Sequence, residues 1–349
     1  MLSLHEASDD IKKILKWGGL LIGLIVFVVI MLSVGKNIKE AFFPTPPPPP
    51  TFSFGKLPEI IFPKNANSQN LSYSLNTVSG TLPSFPDRLK IFKISEPLPN
   101  LLNLERARKT AYSADFKNKE TQVSDSVYSW ESVDPPFKTI ILDTLSFDFN
   151  VSSSYSLDSS VLNADFLPSE NAASERAQAF FNSLSSFPSY IDSTKTTTTL
   201  FNIEGQNLAK ATSFSNAKII RVDFFPKDIE SLSVFYVKPK RSNMYALVGG
   251  NDFGGDILEA NMINNNISQD FGTYYIKTAE EAFDELKNSN GYVANYEGNS
   301  NVKISNIYLA YFLGPRREKF LMPIVVFEGN NNFFAYVSAV KENWIEQSK

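Results

Sequence analysis

"IKTAEEAFDELKNSNG", residues 276–291, is the stretch from which the fold can be read. Thr278 and Glu281 stand in the T-x-x-E order of a capping box, where the hydroxyl and the carboxylate each satisfy an N–H that the first helical turn leaves open. Gly291 is placed to end the helix. After it, "NVKISNIYLAYFLG" (301–314), "KFLMPIVVFEG" (319–329) and "NNFFAYVSAV" (331–340) read as three strands joined by turns at Gly314-Pro315 and Gly329 to Asn332. An antiparallel meander packed on one helix gives each apolar face a partner.

Two earlier stretches follow the same plan. "NLLNLERARKTAYSADF" (100–116) predicts a helix capped by Asn103, and "TQVSDSVYSWES" and "FKTIILDTLSFDFNVS" predict strands separated by Asp134-Pro135-Pro136. "SENAASERAQAFFNSL" (169–184) places Ala173, Ala177, Phe180 and Phe181 on one helical face, before strands in "TKTTTTLFNIEGQNLAKA", "NAKIIRVDFF", "LSVFYVKP" and "MYALVGG". Strands outnumber helices, so the class is α+β. The expected modules run 99–165, 166–272 and 273–349, too irregular in length for a solenoid. Residues 57–98, with Pro58, Pro63, Pro83 and Pro86, predict an extended β arm lying against the domain, with strands near Leu71–Val78 and Leu89–Ile94 and a turn at Ser79-Gly80.

Trp17 to Val34 carries no charge, and eighteen helical residues span roughly 27 Å, about the thickness of a hydrocarbon core. This predicts a transmembrane helix at 17–35, with a cleaved signal peptide as the alternative. Lys12, Lys13 and Lys16 against Lys36 and Lys39 predict a cytoplasmic tail at 1–16 and an extracytoplasmic domain, with Trp17, Lys16 and Lys36 as interfacial anchors. The tract "EAFFPTPPPPPTF" lies in an expected spacer at 36–56, where polyproline II holds the domain about 20 Å from the headgroups.

The third stretch resembles the PepSY-like module of the YycH/YycI regulatory proteins. The likeness rests on the helix "IKTAEEAFDELKN", the strands "ISNIYLAYFL" and "FLMPIVVFEG", the second with Pro323 at its apolar centre, and the closing "FFAYVSAV". It covers residues 274–340, with an echo at 170–249. The resemblance implies PepSY-like packing of short helices on strand meanders, and a membrane-anchored extracytoplasmic protein of the kind that restrains an envelope sensor kinase. No kinase-contacting residue carries over.

Composition narrows the chemistry. Basic side chains number 33 against 37 acidic ones, without a block of either sign, so nothing marks a nucleic-acid surface. Cysteine is absent and the one histidine is His5, which excludes disulfides, thiolate sites and, in the main body, His-dependent triads and metal centres. The loop "GGNDFGGD" offers Asp252 and Asp256 as candidate cation ligands, set against a plain glycine-rich turn. Ser-x-x-Lys at Ser33, Ser53 and Ser215, and the pairs Glu280/Glu281 and Asp143/Asp148, leave a Ser/Lys or carboxylate hydrolase as a minor alternative. Arg316-Arg317 and Asn264 to Asn266 read as surface. Tyr274, Tyr275, Tyr308 and Tyr311 are the candidate partner or ligand surface. The expectation is a non-catalytic, cofactor-free binding or regulatory protein whose partner is another membrane or envelope protein, with strand edges open to β-addition. A structural part of an envelope assembly or secretion complex is the second reading, and the oligomeric state is left open.

Overall fold

The computed structural model of the protein describes residues 16–29, 31, 48–63, 71–134, 137–164, 166–184, 187–250 and 256–346. The chain divides into two compact units, Met1–Pro49 and Pro50–Lys349. In the first, residues 16–29 and 31 are helical, and their apolar side chains are exposed, Leu21 and Phe27 each at 61%. Among the described residues no helix is long and apolar enough to cross a membrane. Ile30, Leu32 to Val34, Lys36 and most of the proline tract lie outside those residues.

The second unit is α+β, with strands in two sheets and few helices. The arm contributes β1 (Ser72–Leu75) and β2 (Arg88–Ile94). Helix α1 (Asn103–Ser113) precedes β3 (Thr121–Gln122), β4 (Val127–Glu131), β5 (Lys138–Asp143) and β6 (Phe149–Ser153). A short helix α2 (Ser159–Leu162) leads to α3 (Glu170–Leu184), followed by β7 (Ile191–Glu204), β8 (Asn207–Lys210), β9 (Ile219–Pro226), β10 (Val234–Tyr236), β11 (Tyr245–Gly249) and β12 (Asp256–Met262).

Among the described residues the first sheet has nine strands in the order β3-β4-β5-β6-β12-β11-β9-β7-β8, every neighbour antiparallel. Its halves mirror one another. In each, a helix is followed by strands that approach the centre, where Phe149, Asn150 and Val151 pair with Met262, Asn261 and Ala260. Joining the two inner edges removes a row of open backbone groups from each half. Both helices bury small residues on the shared core, Ala107 and Ala111 from α1, Ala173 and Ala177 from α3, and the α3 backbone lies close to β9, β11 and β12 while α1 packs against α3.

Several expectations change here. Leu102, not Asn103, occupies the N-cap of α1 and makes no side-chain cap; Asn103 is the first helical residue and is buried. The earlier Asn100 accepts from the Leu102 N–H at 2.9 Å. "FKTIILDTLSFDFNVS" and "TKTTTTLFNIEGQNLAKA" each fold back into a paired hairpin. The strand in "LSVFYVKP" leaves its module altogether and becomes β10 of the other sheet.

The second sheet holds β13 (Ile267–Tyr275), β14 (Tyr292–Asn295), β15 (Asn301–Leu313), β16 (Phe320–Gly329) and β17 (Phe333–Ser338), with α4 (Ala279–Lys287) on one face. Its main path is β1-β15-β16-β17-β14; β1 and β10 pair in parallel with β15, and β2 joins β16 to β13. The arm is therefore woven into strands more than 200 residues later, Ser72 opposite Asn301 and Phe92 opposite Leu321. The capping box forms: the Thr278 hydroxyl accepts from the Glu281 N–H at 3.1 Å, and Glu281 accepts from the Thr278 N–H at 2.8 Å. The helix stops at Asn288, with Ser289 rather than Gly291 taking the positive φ. Gly291 is needed for space, since a Cβ there would stand 2.8 Å from Leu286 Cδ1. The β16–β17 turn carries Asn331 and Asn332 at φ 53° and 54°, the backbone that matches hairpin twist.

One face of this sheet packs Val325, Phe327 and Val337 on Phe283 and Leu286 of α4. The other is aromatic, with Tyr274, Tyr292, Phe312 and Tyr336 under Leu57, Ile60 and Phe62 of the arm and Trp344 and Ile345 near the C-terminus. Covering both faces explains why β16 is apolar without alternation.

Candidate functional site

The aromatic face borders an open cleft. A cleft of about 580 Å3 lies between the arm, the end of α4, β17 and residues 342–346. The arm wall is set by Leu57, whose N–H donates to the Trp344 carbonyl at 2.8 Å and whose carbonyl accepts from the Glu346 N–H at 2.7 Å. Pro58 has no N–H to extend that pairing, so the arm departs after one bridge and presents Glu59, Ile60 and Phe62 to the cleft. Phe62 is held by stacking on Tyr292, centroids 5.4 Å apart.

Lys277 sits inside this opening. Its N–H donates to the Ala339 carbonyl at 2.7 Å, which fixes it beside β17, and its ammonium lies 2.6 Å from the Glu285 carboxylate of α4. The lysine side chain is only 7% exposed, so the ion pair is what makes its burial tolerable. Ser338 lines the same cleft, and its buried Oγ has no partner among the described residues. Ser338 and Lys277 therefore share the cleft without the hydrogen bond that a Ser/Lys nucleophile requires. Among the described residues the lining carries four carboxylates, Glu59, Glu285, Glu342 and Glu346, and one ammonium, that of Lys277. An apolar wall beside an acidic rim suits a segment that offers an apolar side chain with a cationic group nearby.

The four tyrosines chosen from sequence do not share one groove. Tyr274 is fully buried; its hydroxyl accepts from the Phe54 N–H at 2.9 Å and donates to the Gly55 carbonyl at 3.1 Å, which ties down the arm. Tyr275, adjacent on β13, points the other way and is exposed beside Phe52. Tyr311 is buried and donates to the Lys90 carbonyl at 2.8 Å, burial holding its pKa above the usual phenol range. Tyr308 is half-buried against Phe235 and hydrogen-bonds Glu328; burial, then that carboxylate, raises its pKa. Two of the four thus serve packing rather than surface.

The remaining candidates also take structural partners. Asp256 pairs with Lys138 at 2.6 Å, Asp252 lies outside the described residues, and no cluster of three or more metal-ligating side chains occurs among the described residues. Asp148 accepts from Arg317 and the Asn264 N–H, and Asp143 from the Leu145 N–H, so neither is poised over an open cavity. Asn265, expected at the surface, is 3% exposed, and Arg317 is fastened across to Asp148. Ser215 meets Ser213, while Lys218 donates to the Ala164 carbonyl; Ser53 bonds Thr51. Trp17 and Lys16 are exposed and helical. Nothing local marked Lys277 and Glu285 as a site, because the cleft exists only once the arm and residues 342–346 close over them.

No family model matches the chain, and no curated protein matches it. Among solved structures it is similar to an uncharacterized protein from Eubacterium rectale, at 11% identity over 73% of this chain and 84% of that one, with a TM-score of 0.35. It is also similar to the C-terminal domain of Bacillus megaterium YpeB, at 11% identity over 73% of this chain and 97% of that domain, with a TM-score of 0.31.

Proposed function

We propose that the protein is a single-pass membrane protein with a cytoplasmic N-terminus, whose extracytoplasmic unit is a non-catalytic binding or regulatory module of the cell envelope. Its helix-on-meander units are PepSY-like in this reading, in the manner of the YycH/YycI proteins. The observation that carries the proposal is the course of the arm. The residues that follow the apolar N-terminal segment and the proline tract in the chain lead to Glu59, Ile60 and Phe62, which line the cleft beside Lys277. Anchor and recognition surface are thus consecutive in the chain, as a tethered receptor for a neighbouring envelope protein requires. The partner class is a protein segment with apolar and cationic side chains, matched to the acidic cleft.

Crosslinking in native membranes followed by mass spectrometry tests this. A regulator yields one dominant membrane or envelope partner with crosslinks near residues 59–62 and 342–346. Several unrelated envelope proteins in equal yield would point instead to a structural component, and recovery of no partner would overturn the proposal. Exchanging residues 17–34 for a foreign span separates contact in the bilayer from contact at the cleft.

A further inference from the structure

A second cavity, of about 390 Å3, lies away from the cleft, between the β7–β8 hairpin, β9, β11 and the segment after β10. Strand β9 alternates, so Ile220, Val222 and Phe224 face the helices while Arg221 and Asp223 face the other side of the sheet. Asp223 is completely buried and organises the cavity. Its carboxylate accepts from Arg221 Nε at 2.9 Å and Nη2 at 2.8 Å, from Arg241 Nη1 at 3.3 Å and from the Ser242 N–H at 2.8 Å. Arg221 is further fixed by stacking on Tyr245, 3.6 Å to the ring centroid, and Arg241 lies 5.1 Å from the centre of the Phe201 ring. Two guanidinium groups are thus locked in place by one carboxylate and two aromatic rings.

Their inward bonds leave donors unused. Arg221 is spent on Asp223, the Ser242 carbonyl and Tyr245, whereas Arg241 Nε and Nη2 and the Lys238 ammonium have no hydrogen-bond partner among the described residues. Arg221, Arg241 and Lys238 all line the cavity, and among the described residues no carboxylate does; Glu259 accepts from the hydroxyl of the lining Tyr245. Burial makes the Arg241 charge costly and lowers its pKa, with Asp223 opposing that effect. Three cations less one buried carboxylate leave an excess of two positive charges. A phosphomonoester carries about that much negative charge near neutral pH, and its oxygens suit the fixed fork of arginine. The aromatic ring of Phe201 and the side chain of Leu208 offer an apolar wall beside the charges.

We propose that the cavity of Arg221, Arg241 and Lys238 is a binding site for a phosphomonoester carried on a compact apolar body. It is independent of the cleft and of the partner argued for above.

Isothermal titration of the full chain in detergent tests it with phenyl phosphate, inorganic phosphate and benzoate. Phenyl phosphate is expected to bind saturably at one site, and tighter than inorganic phosphate by about tenfold, as one ring against the apolar wall provides. Benzoate should bind at least about tenfold more weakly than phenyl phosphate, and all affinities should fall as salt rises from about 25 to about 150 mM. Lys238→Ala, at an exposed residue whose ammonium makes no hydrogen bond or ion pair among the described residues, should weaken phenyl phosphate about three- to tenfold without moving the melting temperature. Arg241→Lys should weaken it as well. Absence of saturable binding by all three probes, or unchanged affinity in folded Lys238→Ala, would overturn the site. Benzoate binding as tightly as phenyl phosphate would overturn its assignment to phosphate.

Discussion

Leu57 and Ile61 stand four residues apart in the same proline-rich arm, yet Leu57 is fully buried and Ile61 is 77% exposed. Leu57→Ala deletes about three carbons from the aromatic core, worth about 2.4 kcal/mol in transfer alone and about 3–4 kcal/mol with the cavity that remains. Ile61→Ala deletes a similar volume from solvent and should cost under about 0.5 kcal/mol. Hydrogen exchange of the full chain gives the readout by region. The Glu346 N–H, bonded to the Leu57 carbonyl, should lose protection first, followed by β2, β13 and β17, whereas β9, β11 and β12 of the other sheet should keep theirs. Equal loss in both sheets, or a difference between the two substitutions below about 1 kcal/mol, would refute the view that the arm is an integral layer of the C-terminal sheet.

Other substitutions probe separate contacts. Tyr336→Phe removes a buried hydroxyl that has no partner among the described residues and should be neutral or stabilising by up to about 1 kcal/mol in denaturant titration, whereas Tyr274→Phe breaks two hydrogen bonds to the arm and should cost about 1–3 kcal/mol. Asp223→Ala strands two arginines and should cost about 3–5 kcal/mol, read from the loss of cooperative unfolding of the nine-stranded sheet. Gly250→Ala would bring a Cβ to 2.1 Å from the Phe166 carbonyl oxygen, so it should cost about 1–3 kcal/mol and shift the melting curve accordingly. Glu281 is held below the usual carboxylate range, chiefly by the Thr278 N–H. Its contribution is therefore present above the unfolded pKa of about 4.3 and is lost as pH falls through the lower folded value; exchange protection of α4 should drop over that window, and Glu281→Gln should abolish the drop.

What sequence alone determined is the local grammar of the chain. The capping box of Thr278 and Glu281, the helix over Glu170–Leu184, the strands that became β2, β15, β16 and β17, and the α+β class follow from periodicity and side-chain chemistry acting within a few residues. Asn103 shows where that grammar stops, because tertiary packing drew it into the core as the first helical residue while Asn100 took the local hydrogen bond. Strands β12 and β13 carried little signal of their own, being specified by what they pair with: β12 closes the seam against β6, and β13 completes β2. Only the tertiary structure decided that the arm belongs to the last sheet, that β10 deserts its module, and that Tyr274 and Tyr311 lie inside. It also decided both cavities. Lys277 shares a cleft with Ser338 and the arm, and Arg221 and Arg241 converge on Asp223, only once the chain has folded, and a one-dimensional pattern records each residue's character but not the partner whose burial gives it work.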